Sequence, residues 1–332
     1  MQTRRLGKSE LELTPIGIGT WAIGGGEWEY GWGPQRENDS IEAILEGLEL
    51  GLNWIDTAAA YGFGASEEAV GKAARLWGRP VIIATKCGIL PAPGNRVNRY
   101  ISKKTILKEA EDSLRRLKVD CIDLYQIHWP VPDENIEESF EALMQLKQEQ
   151  RIRYAGVSNF SISQLERCLR IGEVTSLQPA YNILRREIEA EILPWCQSNG
   201  IGVITYSPIY CGLLTGKVSR SWAESLPLTD WRSPARGLPI SQYLKEPGLT
   251  PFLGFIEKLQ KIAAESGRSV AQLAIAWVLR RTEVTATIVG TRRKGQLAET
   301  VAAAAWQLTA DELTAVEEAL DEFQNELALV NK

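Results

Sequence analysis

Short apolar runs alternate with longer segments of helical periodicity along most of the chain. Ile41, Ile44, Leu45 and Leu48 recur at i, i+3, i+4 and i+7, after a capping residue at Asp39 or Ser40 and before Gly51 as a stop; this spacing predicts an amphipathic helix. Asn53-Trp-Ile-Asp56 follows at once, too short for a helix and bounded by turn residues. Val81–Thr85 is the next apolar run, ahead of a helix from about Ser102 to Leu117. Ile122–Ile127 precedes a helix over about Ile136–Gln150, Tyr154–Val157 one over about Ser161–Ile171, and Ser176–Gln178 one over about Glu187–Ser198. Val203–Tyr206 and Ala286–Val289 complete the series, with helices near Pro251–Glu265 and Val270–Arg281 between them. Ile16-Gly-Ile18 near the start makes eight strands.

Nearly continuous apolar strands alternating with amphipathic helices predict a parallel sheet covered by helices. Eight such units fit an α/β fold of the (β/α)8 barrel type better than a doubly wound sheet, which usually has fewer strands. Thr3–Leu13 alternates about Gly7-Lys-Ser9, as expected of an N-terminal β-hairpin closing the barrel bottom. Ala310–Glu326 reads as a C-terminal helix packed outside. The stretch 208–250 is rich in Pro, Gly, Ser and Trp and lacks periodicity, which marks a long functional loop inside a single domain spanning 1–332.

Composition narrows the function. The chain has 332 residues, with 37 Lys+Arg against 42 Asp+Glu and a net charge of −5. That balance argues against a nucleic-acid partner, which usually needs a basic face. One His excludes every metal site that needs two, so no metal is expected. The five cysteines (Cys87, Cys121, Cys168, Cys196 and Cys211) include no CxxC pair and read as reduced packing thiols. No apolar stretch follows the basic residues at the start, and no run approaches the roughly 18 residues of a membrane helix. A cytoplasmic protein without a membrane partner is expected, either a monomer or a weak homo-oligomer.

Two motifs tempt and fail. Gly17-Ile-Gly19-Thr-Trp-Ala22 satisfies the dinucleotide fingerprint, but Ile23-Gly-Gly-Gly26 cannot open the helix that fingerprint requires. Tyr100-Ile-Ser-Lys-Lys104 matches the Tyr-x-x-x-Lys pair of short-chain dehydrogenases without their glycine-rich first turn. Tyr100 reads instead as the residue before the helix cap Ser102.

In a barrel, functional residues lie at the C-terminal ends of the strands. Those ends carry Asp56, Lys86, His128, Ser158-Asn159, Gln178 and Tyr206, and Tyr61 stands five residues past Asp56. Six polar endings on consecutive strands converge on one mouth. A phenol with a reference pKa near 10 is a poor acid unless a cation stabilises the phenolate. Lys86 can supply that cation and Asp56 can hold it, while His128 can orient a carbonyl oxygen. The set suits protonation of a developing alkoxide. No side chain donates hydride, so the chemistry calls for a nicotinamide cofactor and a small-molecule carbonyl substrate.

At these residues the sequence resembles the aldo-keto reductases, closest to bacterial members related to the potassium-channel β subunits. Gly51-Leu-Asn-Trp-Ile-Asp-Thr-Ala-Ala-Ala-Tyr61, Ala84-Thr-Lys86 and Asp123-Leu-Tyr-Gln-Ile-His128 carry the likeness, as do Ile152–Phe160, Gln178–Asn182, Tyr206–Pro208, Gly212–Lys217 and Ile288–Glu299. The resemblance implies a metal-free barrel that reduces aldehydes or ketones with NADPH, NADH being possible. It implies Tyr61 as general acid, Lys86 and Asp56 as its tuning pair, and His128 as the carbonyl-orienting residue. Ser158, Asn159 and Gln178 match carboxamide-holding positions, and Tyr206 matches the ring that stacks on the nicotinamide. Ser207, Leu213, Gln296, Glu299 and Thr300 fall at phosphate and adenine positions, Thr300 where the family usually has Asn. Arg292 and Arg293 would favour a 2′-phosphate, since a guanidinium pairs well with phosphate oxygens. Trp21, Trp32 and Trp129, among eleven Trp, are expected to line a pocket for flat or apolar aldehydes. The shared fold also leaves open a cofactor-sensing regulatory subunit.

Overall fold

The computed structural model describes residues 1–26 and 28–330. Eight parallel strands close into a barrel: Ile16–Gly19, Trp54–Asp56, Ile82–Cys87, Ile122–Ile127, Ile152–Ser158, Ser176–Gln178, Gly202–Thr205 and Val284–Gly290. The last strand pairs with the first in the register Thr287↔Ile16 to Gly290↔Gly19, which seals the cylinder. Each predicted strand is present within a few residues at its ends. The β-branched and aliphatic runs sit in strands because both faces are covered, one by the outer helices and the other by side chains filling the interior.

Two cores follow. Between strands and helices lies a continuous apolar layer that includes Ile44, Val70, Leu114, Phe140, Leu165 and Trp277. Inside the lower barrel a second cluster gathers Trp54, Ala84, Leu124, Ile204 and Ala286 with Leu6, Leu11 and Leu13. The three leucines come from the N-terminal hairpin, whose Arg4–Arg5 and Glu12–Leu13 pair antiparallel. Gly7 at its turn has φ +55° and lies so close to Gly200, Gly202 and Thr175 that a side chain would collide with their backbone. The hairpin therefore plugs the end of the barrel opposite the strand termini that carry the polar residues.

The dinucleotide-like glycines serve this interior. The Trp54 indole covers Gly17, and Ile288 covers Gly19; only a single 3-10 turn, Trp21–Gly24, follows. Ser102 caps the helix Lys103–Leu117 in a reciprocal box with Thr105, as its place after Tyr100 predicted. Some boundaries differ from expectation. The first helix begins at Glu37, with no side-chain cap, so Asp39 and Ser40 lie inside its first turn. The helix expected from Glu187 begins at Ile192, because Arg186 and Glu189 are held in an ion-pair network with Tyr181, Arg280 and Glu317. The C-terminal helix, Ala310–Val330, packs on the helix Leu249–Glu265. Segment 208–250 is not structureless: it carries Arg220–Glu224 and several 3-10 turns. No described helix is long and apolar enough to cross a membrane.

Candidate active site

Asp56 ends the second strand and Lys86 lies one residue before the end of the third. Both point into the upper barrel, where their side chains are 4% and 1% exposed. Lys86 Nζ donates to Asp56 Oδ1 at 2.6 Å, to the Thr57 carbonyl at 2.9 Å and to the Tyr61 hydroxyl at 3.3 Å. Gln178 Nε2 donates to the other carboxylate oxygen, Asp56 Oδ2, at 2.9 Å. Every ammonium proton and both carboxylate oxygens are thus engaged. The loop bearing Tyr61 can approach because Gly62, at φ +62°, passes against the backbone of Gly24 with no room for a Cβ.

Burial is the largest influence on all three groups, and it favours their neutral forms. It raises the Asp56 carboxyl and lowers the Lys86 ammonium, and their mutual attraction opposes both shifts. Tyr61 is held well above the ordinary phenol value by burial and then by the Asp56 charge. The expected lowering by Lys86 is therefore not what the site does: burial raises the phenol and the Asp56 charge adds to the rise. Tyr61 remains a phenol across the neutral range.

His128 stands just past the fourth strand. Its backbone N–H donates to the Cys87 carbonyl at 2.9 Å, and Asn159 Nδ2 donates to its carbonyl at 3.0 Å. The imidazole meets the Tyr61 ring edge-on at 5.9 Å. Burial, followed by the charges of Lys86 and Arg99, depresses its pKa well below 6.5, so the ring is neutral. Nδ1 is buried with no hydrogen-bond partner among the described residues.

Asp56, Tyr61 and His128 line one cavity of about 860 Å³ together with Ser158, Asn159, Gln178, Tyr206, Ser207, Arg292, Arg293 and Gln296, and Lys86 is sealed behind them. Ser158 Oγ donates to the Gln178 carbonyl at 2.7 Å, Asn159 Nδ2 also reaches Ser158 Oγ at 3.0 Å, and the Tyr206 hydroxyl donates to Asn159 Oδ1 at 2.8 Å. Gln178 Oε1 has no partner among the described residues. At the far end Gln296 Oε1 accepts from the backbone N–H groups of Arg292 and Arg293.

Four of the expected cofactor residues are placed otherwise. The Arg292 guanidinium donates to the carbonyls of Trp32, Gly33 and Pro34 and to Gln35 Oε1, so it staples a loop and leaves Arg293 as the free cation. Leu213 is fully buried behind the wall. Glu299 binds Lys217 Nζ at 2.9 Å, and Thr300 donates to its own helix at Gln296 and Leu297. Leu213, Glu299 and Thr300 do not reach the cavity surface.

Trp21, Trp32 and Trp129 do line it. Trp21 and Trp32 pack edge to face at 5.4 Å, and both touch Trp231, at 5.1 and 5.9 Å. Trp28 lies 6.2 Å from the Tyr61 ring. Trp28, Trp231, Trp222, Lys217, Arg232 and Arg99 are wall residues that the strand-end reading misses. Trp222, Trp231 and Arg232 come from segment 208–250, where the density of Trp was the available signal. Arg232 packs over the Trp32 and Trp222 rings and pairs with Asp230 at 2.6 Å. Segment 208–250 and the loop ending at Gln35 thereby meet over the cavity, also joined by Trp231 N–H to the Gly31 carbonyl.

Comparison with known proteins identifies the family and the fold. The family model described as "Aldo/keto reductase family" matches residues 15–321. The aldo-keto reductase YhdN of Bacillus subtilis is 37% identical over 94% of this chain and 91% of its own length. The NADH-specific methylglyoxal reductase of Escherichia coli is 34% identical over 90% of this chain and 92% of its own. Among solved structures, the glycerol dehydrogenase from Gluconobacter oxydans superposes with a TM-score of 0.86 at 35% identity, covering 97% of this chain and 96% of that one. The chain belongs to the aldo/keto reductase family of NAD(P)H-dependent carbonyl reductases.

Proposed function

We propose that Tyr61 protonates the carbonyl oxygen of an aldehyde or ketone in this cavity, with Lys86, Asp56 and His128 setting the conditions for that transfer. The observation that carries this reading is the sealed Lys86–Asp56 pair ending on the Tyr61 hydroxyl at the cavity wall. Because that hydroxyl oxygen accepts from Lys86, its own proton is free to donate into the cavity. A high phenol pKa suits a donor that must hold its proton until a strongly basic alkoxide develops. The phenolate left behind rests against the buried Lys86 ammonium, where the attraction is less screened than in water. A neutral His128 can donate one hydrogen bond to the carbonyl oxygen, and its orphaned Nδ1 leaves the other ring nitrogen for that task.

The residues present fit a nicotinamide dinucleotide. The cavity, of about 860 Å³, is lined from Tyr61 and His128 through to Gln296 and Arg293, which suits an extended ligand. Ser158, Asn159 and Gln178, with its free Oε1, would hold a carboxamide, and the Tyr206 ring would face the nicotinamide. Bound NAD(P)H supplies the hydride. Ser207 and Gln296 would border the phosphates, and Arg293 would pair with a 2′-phosphate, which favours NADPH over NADH. Leu213, Glu299 and Thr300 support that end from behind, and Arg292 braces the neighbouring loop.

Steady-state oxidation of NADPH and NADH with a panel of aldehydes tests the reading. Turnover with both cofactors and a preference for NADPH is expected, and Arg293→Ala should lower the NADPH/NADH ratio of kcat/KM by roughly tenfold or more, the worth of one charge-assisted bond. Absence of turnover contradicts the function, and an unmoved ratio contradicts the role of Arg293.

A further inference from the structure

The cations on the cavity wall and directly behind it are almost all spoken for. Lys86 pairs with Asp56, Arg232 with Asp230, and Lys217 with Glu299. Arg292 is spent on the carbonyls of Trp32, Gly33 and Pro34. The two acids on the wall, Asp39 and Asp56, are themselves paired, with Arg36 and Lys86. Among the described lining residues two guanidiniums remain without a carboxylate or a hydrogen-bond acceptor: Arg293 at the far end and Arg99 beside His128.

Arg99 is exposed, at the cavity wall, but its position is held. It closes the hairpin Ile89–Ala92/Arg96–Arg99, which follows directly on Lys86 and Cys87. The hairpin base is pinned twice: Tyr100 N–H donates to the Gly88 carbonyl at 3.1 Å and Ile101 N–H to the Val131 carbonyl at 2.9 Å. The guanidinium lies 4.2 Å from the centre of the Trp129 ring, the residue next to His128. It is near enough to be felt electrostatically by both His128 and Tyr206. Stacking on an aromatic face fixes the plane of a guanidinium while leaving its N–H edge free, the arrangement that suits bidentate recognition of an oxyanion.

We propose that Arg99 recognises an anionic group on the substrate, so that this cavity prefers carbonyl compounds carrying a carboxylate or phosphate over neutral compounds of the same size. The inference rests on the carbonyl-reducing reading above. It gives the cavity a polarity: cofactor phosphate towards Arg293, substrate anion towards Arg99, and the reacting carbonyl between them at Tyr61 and His128.

The test is the ratio of kcat/KM for matched substrates with NADPH: 4-oxobutanoate against butanal for a carboxylate, and glyceraldehyde 3-phosphate against glyceraldehyde for a phosphate. In the wild-type protein at least one ratio should exceed unity by roughly tenfold or more and fall as salt is added. Arg99→Gln should lower that ratio by roughly ten- to a hundredfold, and Arg99→Lys should retain part of it. An effect of Arg99 routed only through His128 would change both members of a pair alike and leave the ratio fixed. Wild-type ratios at or below one, or a ratio unmoved in Arg99→Gln, overturn the inference while turnover of butanal keeps the carbonyl-reducing reading intact. No oxidation of NADPH with any of the four overturns that reading, and the inference with it.

Discussion

Lys86→Met separates what the buried ion pair does for folding from what it does for proton transfer. Methionine fills similar space without charge, and it leaves Asp56 sealed with Gln178 as its sole donor. Removing one member of a buried pair destabilises by about 3–5 kcal/mol, because the remaining charge has neither water nor partner. At about 1.4 °C per kcal/mol for a chain of 332 residues, the melting temperature should drop by roughly 4–7 °C at pH 7.5. Burial already raises Asp56 above its unfolded value, and losing Lys86 removes the attraction that opposes that rise. A raised carboxyl binds its proton more tightly folded than unfolded. The penalty is therefore fully present above the folded pKa and fades as pH falls towards the unfolded one. The double variant Asp56→Asn/Lys86→Met carries no buried charge at this point and should recover most of the lost stability at pH 7.5. It should not recover turnover, since the Tyr61 phenolate still lacks its cation; a positioned acid is worth about 10²–10⁴ in rate. Thermal unfolding across pH and NADPH oxidation with butanal provide the two readouts. A double variant as unstable as Lys86→Met, or one that turns over like wild type, refutes the reasoning.

Two further predictions use pH. His128 is the sole histidine of the chain, so its ring protons are unambiguous by NMR. Burial, Lys86 and Arg99 all disfavour the imidazolium, so the ring should titrate well below the ordinary 6.5; a midpoint near 6.5 would contradict the placement. Glu109 lies behind the barrel wall with both carboxylate oxygens accepting from the Gly88 N–H, at 3.2 and 3.0 Å, and burial pushes its carboxyl up to about 8. Being raised, it binds its proton more tightly folded than unfolded, so stability is lost as pH rises from about 4.5 to about 8. Glu109→Gln keeps an acceptor for Gly88 without the charge. The variant should match wild type near pH 4.5 and exceed it by about 2 kcal/mol or more above pH 8, within the ~5 kcal/mol that the full shift represents. A stability gap that stays flat with pH would refute it.

The strands and the four polar residues Asp56, Tyr61, Lys86 and His128 were legible because a barrel writes both into the sequence in simple form. Apolar runs mark the strands, and a lone polar residue at the end of each marks the mouth. The segment Ala65–Trp77 has Ala and Gly among its buried positions, a weak periodic signal for a helix that buries Ala69, Val70, Gly71 and Ala73. The hairpin Ile89–Ala92/Arg96–Arg99 is an insertion between strand and helix with little apolar alternation, so Arg99 went unread. Residue type did not reveal commitment either. Arg292 and Arg293 are adjacent and alike, and only the folded loop assigns one to three carbonyls and leaves the other free. The direction of the Tyr61 shift was hidden for the same reason: it depends on burial and on the charge of Asp56 in the folded site.

The central claim is that Tyr61 gives up the proton. Tyr61→Phe keeps the ring that packs near Trp28 and His128 and deletes only the hydroxyl that Lys86 touches. With butanal and saturating NADPH, kcat should fall by about 10²–10⁴, while the dissociation constant for NADPH, read by fluorescence, stays within about twofold. A variant that retains kcat within about tenfold of wild type, with NADPH bound as tightly, would show that the proton comes from elsewhere.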